Sequence, residues 1–377
     1  MAKQKRILVV QRRMTHYRVP FFEILRSQFM DADLELAVAY GVGTPDELRK
    51  ADSGSLNWAR NLRTRYLLNG RVCWQPYSHL LRNFDMVVVT QENKLVCNFW
   101  TQYFDKSVRV GLWGHGANLQ GSADNWREKL KKVASRRADW WFAYTELSVP
   151  LIQNTGFPGD RISVLNNSVD TSSFAEVARS FTLAERANLT ASLRIIGSDT
   201  GIYIGSLYEE KRIDFLLAAA EEIRRRVPTF EMLIVGAGPQ KHLVEAACEG
   251  RNWLKYLGPK TGREKMVLLL LSKVMLNPGL VGLGIIDSFV GGVPMATTDC
   301  GLHSPEIAYL ENGVNGIMTP NDLHRYVDAV VRVITDKEIR ESLVRGCRIS
   351  ADKYSLENMA RNFTDGVISC LSRAPHR

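Results

Sequence analysis

Short, almost uninterrupted apolar runs alternate along this chain with longer segments whose apolar residues recur every three or four positions. Arg6–Val10, Leu34–Ala39, Met86–Thr90, Val108–Trp113, Trp140–Tyr144 and Ile162–Leu165 read as strands. Val19–Gln28, Lys94–Phe104, Trp126–Arg137 and Glu146–Asn154 read as helices. Strands that lack polar alternation and are separated by helices predict a parallel sheet covered on both faces. The stretch 171–197 is polar, has no strand character and reads as a linker. A second alternation follows, with strands Ile202–Gly205, Met232–Gly236, Leu254–Leu257 and Val274–Asn277 and helices Arg212–Arg226, Gln240–Cys248 and Arg263–Leu271. The tail adds helical patterns at His324–Thr335, Lys337–Lys353 and Leu356–Leu371. At 377 residues the chain exceeds one typical core. The pattern therefore predicts an α/β protein of two Rossmann-like, doubly wound domains, residues 1–175 and 196–354. In such domains a ligand sits outside the carboxyl ends of the strands, so residues at strand C-termini carry the functional argument.

Composition narrows the classes. Hydrophobic residues at 45% and charged residues at 24% match a soluble globular protein. No apolar run nears the roughly 20 residues that span a bilayer, and the apolar core ILVV of the basic N-terminus is too short for a signal peptide. Cys73, Cys97, Cys248, Cys300, Cys347 and Cys370 show no CxxC spacing and read as free thiols of a reducing, cytoplasmic setting. The formal charge of +9 favours an anionic partner: a membrane surface, nucleic acid or a phosphorylated substrate.

Four strand ends carry candidate chemistry. "GSLYEEKRIDFLL" places Lys211 and Arg212 where a loop enters a helix, an arrangement suited to an anion and equally to a solvated helix start. "VGAGP" is a strand-to-helix turn with Pro239 at the first helical position, but it is not the longer dinucleotide fingerprint. "LWGHGANLQG" sets His115 between two glycines at a strand end, open to a sugar or proton and equally to a structural role. The first strand ends in "QRRMTHYR", whose Arg12, Arg13, His16 and Arg18 form a phosphate- or acceptor-side cluster or a solvated surface. The basic stretch "WREKLKKVASRRADWW" suits an anionic membrane surface as well as water. No nucleic-acid signature accompanies it. Asp31-Ala32-Asp33 precedes a strand and reads as no metal site, and HExxH, GxSxG and P-loop motifs are absent.

Finally, "GLVGLGIIDSFVGGVPMATTD" opens a helix with Gly279, Gly282 and Gly284 and places Asp287 inside it. Such clusters mark tight turns or a backbone that something approaches closely. Taken alone, the cluster reads equally as a loop followed by a poor helix.

In order and spacing, "HYRVPFFEIL", "LWGHG", "ADWWFAYTE", "NNSVD", "GSLYEEKRIDFLL", "VGAGP", "KYLG", "NPGLVGLGIIDSFVGGVPMATTD" and "SPEIAYLENGVNG" resemble the retaining glycosyltransferases of family four. The resemblance covers nearly the whole chain and implies the two-domain GT-B architecture, in which the terminal helix, residues 355–377, packs back on the first domain. It implies an acceptor-binding first domain and a donor-binding second one. Lys211 resembles the lysine that binds the donor diphosphate. Ser206 stands where an arginine is usual, and Arg212 is placed to substitute. Gly279 and Asp287 occupy the two glutamate positions of the family's E-x7-E segment. Donor contacts are thus implied at Ser206, Lys211, Arg212, Gly236, Gly258, Gly282, Leu283, Asp287 and Glu306, with His115 near the transferred sugar and catalytic with Lys211. The branch it resembles builds cell-surface polysaccharide, lipopolysaccharide and lipid-linked oligosaccharide.

The expectation is a hexosyltransferase that uses a UDP- or GDP-sugar without a metal or other cofactor. Its acceptor would be a glycan, lipid-linked, and it would be cytoplasmic and peripheral on the inner face of the membrane. Nucleic acid is not among its expected partners. Another GT-B activity, such as a nucleotide-sugar epimerase, and an idle GT-B partner subunit are the rival readings.

Overall fold

A computed structural model describes residues 4–49, 52–92, 94–116 and 136–376. The chain divides into two compact units, one of Met1–Asp170 with Leu356–Arg377 and one of Thr171–Ser355.

The first unit contains a seven-stranded parallel sheet of β1 (Lys5–Arg13), β2 (Leu34–Gly41), β3 (Arg60–Asn61), β6 (Met86–Thr90), β7 (Arg109–Gly114), β8 (Trp140–Ala143) and β9 (Ile162–Val164). The order is β3-β2-β1-β6-β7-β8-β9, and β4 (Arg65–Leu67) pairs antiparallel with β5 (Val72–Trp74) as a separate ribbon. Strand β1 lies inside the sheet, with Ile7 opposite Leu36 of β2 and Met86 of β6. Both faces of β1 are buried, which is why Ile7, Leu8, Val9 and Val10 are all apolar. Helix Val19–Asp31 makes the crossover to β2, and its buried Phe21, Leu25 and Phe29 recur every four residues along one stripe.

The terminal helix Leu356–Ser372 completes this unit. Met359, Ala360, Phe363 and Val367 enter the same core as Phe21 and Trp113. The Phe363 ring stacks on Phe142 of β8 with centroids 4.4 Å apart.

The second unit holds a six-stranded parallel sheet, order β12-β11-β10-β13-β14-β15. Its strands are β10 (Asp199–Ile204), β11 (Phe230–Val235), β12 (Leu254–Tyr256), β13 (Val274–Leu276), β14 (Met295–Thr298) and β15 (Gly316–Thr319). Helix Ile213–Arg226 covers it with Ile213, Leu216, Ala219, Ala220 and Ile223, while its last turn carries Arg224, Arg225 and Arg226 at the negative end of the helix dipole.

The stretch 171–197 is no linker. It forms helices Ser172–Ser180 and Leu183–Ser192 within the second unit. The first buries Phe174 and Val177. The second starts with a capping box, in which Thr182 and Glu185 satisfy each other's backbone N–H groups. Two buried apolar residues are too few to stand out in a polar stretch, so the composition hid these helices. The basic stretch Trp126–Arg137 lies outside the described residues except for Arg136 and Arg137. Among the described residues no helix is long and apolar enough to cross a membrane.

Candidate functional site

In the second unit, the loops at the strand C-termini interlock through their backbones. Gly236, φ +152°, follows β11 so closely on Gly205 that a Cβ there would lie 1.8 Å from the Gly205 carbonyl oxygen. Its N–H donates to Gly258 O (3.0 Å), its carbonyl accepts from Tyr256 Oη (2.9 Å), and Leu207 N–H donates to Ala237 O (2.9 Å). Gly236 and Gly258 are thereby brought together after β11 and β12. Gly258 has φ +68° and open space where a side chain would stand, as a loop that must leave room for a ligand would have. Ser206 is exposed, and its carbonyl accepts from the Tyr203 hydroxyl (2.8 Å).

Beside this cluster, Glu209–Lys211 makes a 3-10 turn and Arg212 adopts a left-handed conformation, φ 55° and ψ 55°, before helix Ile213–Arg226 begins. The Lys211 ammonium donates to the Leu280 carbonyl. Among the described residues no carboxylate lies within ion-pair distance of it. Burial lowers its pKa to about 8, with Cys300 opposing the shift. The half-buried ammonium also lies 5.8 Å from the centre of the Tyr208 ring, so a carbonyl and an aromatic face, but no described carboxylate, stand against it. Arg212 is differently employed. Its guanidinium donates to Asn321 Oδ1 (2.6 Å) and Thr298 Oγ1 (3.1 Å) and lies over the Phe215 ring. It ties the turn to the ends of β14 and β15.

Gly279 packs directly on that turn. A Cβ there would stand 2.4 Å from Glu210 O and 2.5 Å from the Lys211 carbonyl carbon, and Leu280 N–H donates to Glu210 O (2.8 Å). The close approach that calls for this glycine is to the protein's own backbone. Gly282 and Gly284 are roomier, with the nearest atoms to an added Cβ at 3.7 and 3.9 Å. Leu283 is the N-cap of helix Gly284–Gly291.

His303, a residue the sequence motifs passed over, fixes this loop from its other side. Val281 N–H donates to His303 Nδ1 (3.1 Å), so Nε2 carries the proton and donates to Thr298 O (2.8 Å). Burial lowers the imidazole's pKa and favours this neutral ring. Glu306 is buried in the 3-10 turn Pro305–Tyr309, just beyond Ser304, whose N–H donates to Val281 O (3.0 Å).

Asp287 is buried inside its helix and pairs with Lys265 (2.9 Å), whose ammonium also lies 4.4 Å from the centre of the Phe174 ring. Desolvation raises the carboxyl's pKa against the pull of Lys265. The carboxylate therefore already has a cation of its own. Lys265 escaped the sequence reading because its partner lies on a different helix and no local spacing links them.

In the first unit, the cluster after β1 proves to be closed. Arg12 makes a two-pronged contact with Glu47 (2.7 Å for each oxygen), a third with Glu92 (2.8 Å), and donates to the Tyr66 hydroxyl (3.1 Å). Glu47's pKa falls to about 2, chiefly through the Arg12 contact. Arg13 is likewise forked onto Asp52 (2.7 and 2.8 Å), and His16 contacts the Asp52 carbonyl. Carboxylates of this unit thus neutralise two of the cations read as phosphate- or acceptor-side. Arg18 is buried, donates to Asn167 Oδ1 (2.7 Å) and lies over the rings of Tyr17, Trp113 and Tyr144.

His115 follows β7 with its ring edge-on to Tyr144, centroids 4.2 Å apart. Desolvation, with Arg18's charge adding to it, lowers its pKa to about 4, although part of the residue faces water. The imidazole is neutral at physiological pH. Its flanking glycines answer to packing as well as to any ligand. A Cβ on Gly114 would meet Gln91, and one on Gly116 would meet Ile152 at 2.5 Å.

Residues 198–336 match the family model described as Glycosyl transferases group 1. That segment lies within the second unit. The chain is 26% identical over 189 residues to the alpha-D-kanosaminyltransferase of Streptomyces kanamyceticus, covering 46% of this chain and 47% of that protein. It is 24% identical over 167 residues to the alpha-monoglucosyldiacylglycerol synthase of Acholeplasma laidlawii, covering 43% and 41%. These matches span less than half the length of each curated relative. Across almost the whole chain the fold resembles Anabaena HepE in complex with UDP, with a TM-score of 0.72, 13% identity and coverage of 97% of this chain and all of that one. It also resembles an E. coli structure, described as trehalose-6-phosphate bound with UDP-2-fluoro glucose, with a TM-score of 0.70, 11% identity and coverage of 98% and 100%. The two parallel sheets with their helices are the two Rossmann-like domains of the GT-B fold.

Proposed function

We propose that the chain is a retaining glycosyltransferase. It moves a hexose from a nucleotide diphosphate donor to a lipid-linked glycan acceptor and needs no metal. The observation that carries this reading is Lys211, a half-buried ammonium with no described carboxylate within ion-pair distance, within the segment that matches the group 1 glycosyl transferases. The UDP complexes of fold neighbours favour uridine as the base. A diacylglycerol glycolipid in the name of one relative favours a lipid acceptor.

The chemistry follows from the charges. When the bond from the anomeric carbon to the diphosphate oxygen breaks, the bonding pair leaves with the nucleotide. An acceptor hydroxyl oxygen takes its place on the same face of the sugar, and its proton passes to the departing diphosphate oxygen. Lys211 and the positive end of helix Ile213–Arg226 oppose the charge developing on the leaving diphosphate. Because a preorganised cation stabilises that charge more than it stabilises the bound donor, it acts on the rate. Gly236 and Gly258 border the space for the base, and Asp287 is the carboxylate assigned to the ribose.

The test is transfer from UDP-hexoses to lipid-linked acceptors by the purified chain, with and without EDTA, reading the product's anomeric configuration by NMR. Transfer with retention, undiminished by EDTA, is expected. Inversion, or loss of activity on chelation, overturns the mechanism. Donor epimerisation without transfer marks the epimerase reading, and donor binding without turnover marks an idle subunit.

A further inference from the structure

The first unit contains an apolar cavity that the reaction chemistry leaves unused. Its volume is about 540 Å³, and its walls include Trp74, Phe99, Trp100, Tyr103 and Phe104. These come from the ribbon strand β5 and from helix Val96–Phe104, where Trp100 and Phe104 pair one turn apart with ring centroids separated by 4.6 Å. Trp74, Trp100 and Phe104 remain 50%, 59% and 67% exposed. Three large rings this open around one concavity mark a binding surface rather than the scatter of single apolar residues normal on a protein.

The wall chemistry selects the occupant. The polar side-chain groups of the lining are few: Ser78, Cys97, the Tyr103 hydroxyl and the indole N–H groups of Trp74 and Trp100, since the Tyr77 hydroxyl already donates to Asn98 Oδ1 (2.9 Å). A sugar or a nucleotide base, with many hydroxyls or ring nitrogens, would leave several of them without partners on such walls. A hydrocarbon chain has no such need, and the volume falls within the range of small-molecule sites. A cation stands beside the wall. The Arg137 guanidinium lies 4.6 Å from the centre of the ring of Tyr103, one of the lining residues. A cation beside an apolar cavity complements an amphiphile whose head group is anionic.

We propose that this cavity takes the hydrocarbon chain of a phosphate-bearing lipid, with Arg137 facing the phosphate. The assignment rests on the transferase reading above in taking that lipid to be the sugar acceptor. A concave site of this size holds a single chain, whereas a bilayer surface would be met by a flat face.

Cys97 in the cavity wall provides the readout, because its half-buried thiol can be alkylated only while the cavity is open. Dodecyl phosphate is titrated as a monomer into the full-length chain, and alkylation by iodoacetamide is followed at each cysteine by peptide mass spectrometry. At ten times the dissociation constant the unoccupied fraction, and with it the Cys97 rate, is expected to fall about tenfold. Alkylation of Cys248, in the second unit, should not change. The double variant Trp100→Ser, Phe104→Ser alters two exposed side chains and should lose the protection without a change in melting temperature.

Equal protection by butyl phosphate would show that the head group alone binds and would overturn the proposal. So would protection by vesicles of phosphatidylglycerol but not by the monomer, or no protection at all. The readout needs neither donor nor transfer. A failed transfer assay beside intact protection thus refutes only the transferase reading, and lost protection beside normal transfer refutes only the site.

Discussion

The first β-strand of each unit ends in cations, and the two ends treat them oppositely. After β1, Arg12 and Arg13 are each forked onto carboxylates of their own unit. After β10, Lys211 is half-buried with its ammonium on a carbonyl oxygen, and none of the described carboxylates pairs with it. The charges of Arg12 and Arg13 are satisfied within the fold. The charge of Lys211 is held at a cost, because burial disfavours an ammonium that nothing neutralises. Counting basic residues near strand ends does not separate the two cases. Asking which of them lacks an internal carboxylate does.

The same comparison can be made inside the second unit. Asp287 and Lys265 form a closed, buried pair, so removing one partner strands the other. Asp287→Ala is expected to lower stability by about 3–5 kcal/mol, and the double variant Asp287→Ala, Lys265→Met should recover most of it. Chemical denaturation measures both. If UDP still binds the stabilised double variant with unchanged affinity, Asp287 has no part in holding the ribose.

Lys211→Ala should have the next largest effect, and on rate. One preorganised donor at a developing charge is typically worth about 3–4 kcal/mol, so turnover should fall by roughly two to three orders of magnitude while donor affinity falls far less. Equal losses in the two would mean that Lys211 only binds. Its pKa of about 8 sharpens the point. A bound diphosphate holds Lys211 protonated, so UDP should bind with full affinity below pH 8 and more weakly above it, approaching tenfold per pH unit. Calorimetry in buffers of different ionisation heat should show proton uptake near pH 8. In the free protein the sign is reversed. The cost of burying the charged lysine is fully present below pH 8 and disappears as pH rises towards 10.5, the ordinary lysine value.

A smaller change is expected from the backbone contact that supports Lys211. Gly279→Ala forces a methyl group into the Glu210–Lys211 turn and should cost about 1–3 kcal/mol, as other overpacked sites do. Gly282→Ala meets nothing closer than 3.7 Å and should fall within about 0.5 kcal/mol of the parent. Equal melting temperatures for the two variants would refute the packing account of Gly279. The smallest effect belongs to the closed cluster of the first unit. Arg13→Ala should lower stability by about 1 kcal/mol or less and leave UDP affinity unchanged, and a clear loss of affinity would reopen the case for a phosphate there.

The parallel strands of both sheets were legible because burial on both faces leaves no polar alternation, and β1, β6, β10 and β11 stand where their apolar runs do. Of the strands of two to four residues, β8, β9, β12 and β13 were legible while β3, β4, β5, β14 and β15 were not, because so few residues carry little pattern. Lys211 and Arg212 could be singled out because a strand end followed by a helix start is visible locally. The reading stopped at partnership. Glu47 and Glu92 for Arg12, Asn321 for Arg212, Lys265 for Asp287 and His303 for Val281 all come from other elements, and only the fold brings each pair together. The glycines misled for a related reason. The sequence shows that Gly279 needs a close neighbour, but not that the neighbour is the turn carrying Lys211.

The placement of helix Leu356–Ser372 in the core of the first unit also orders events in time. On the ribosome, β1 to β9 emerge first, yet the ring that stacks on Phe142 arrives only after the whole of Thr171–Ser355 has been made. At the usual 5–20 residues per second that interval is roughly 10–40 s. Throughout it the second unit, whose segment is unbroken, can fold, while the first waits with an apolar trough uncovered. The part of the protein made first is therefore the part finished last, and nascent chains stalled before residue 356 are the ones that chaperones should recognise.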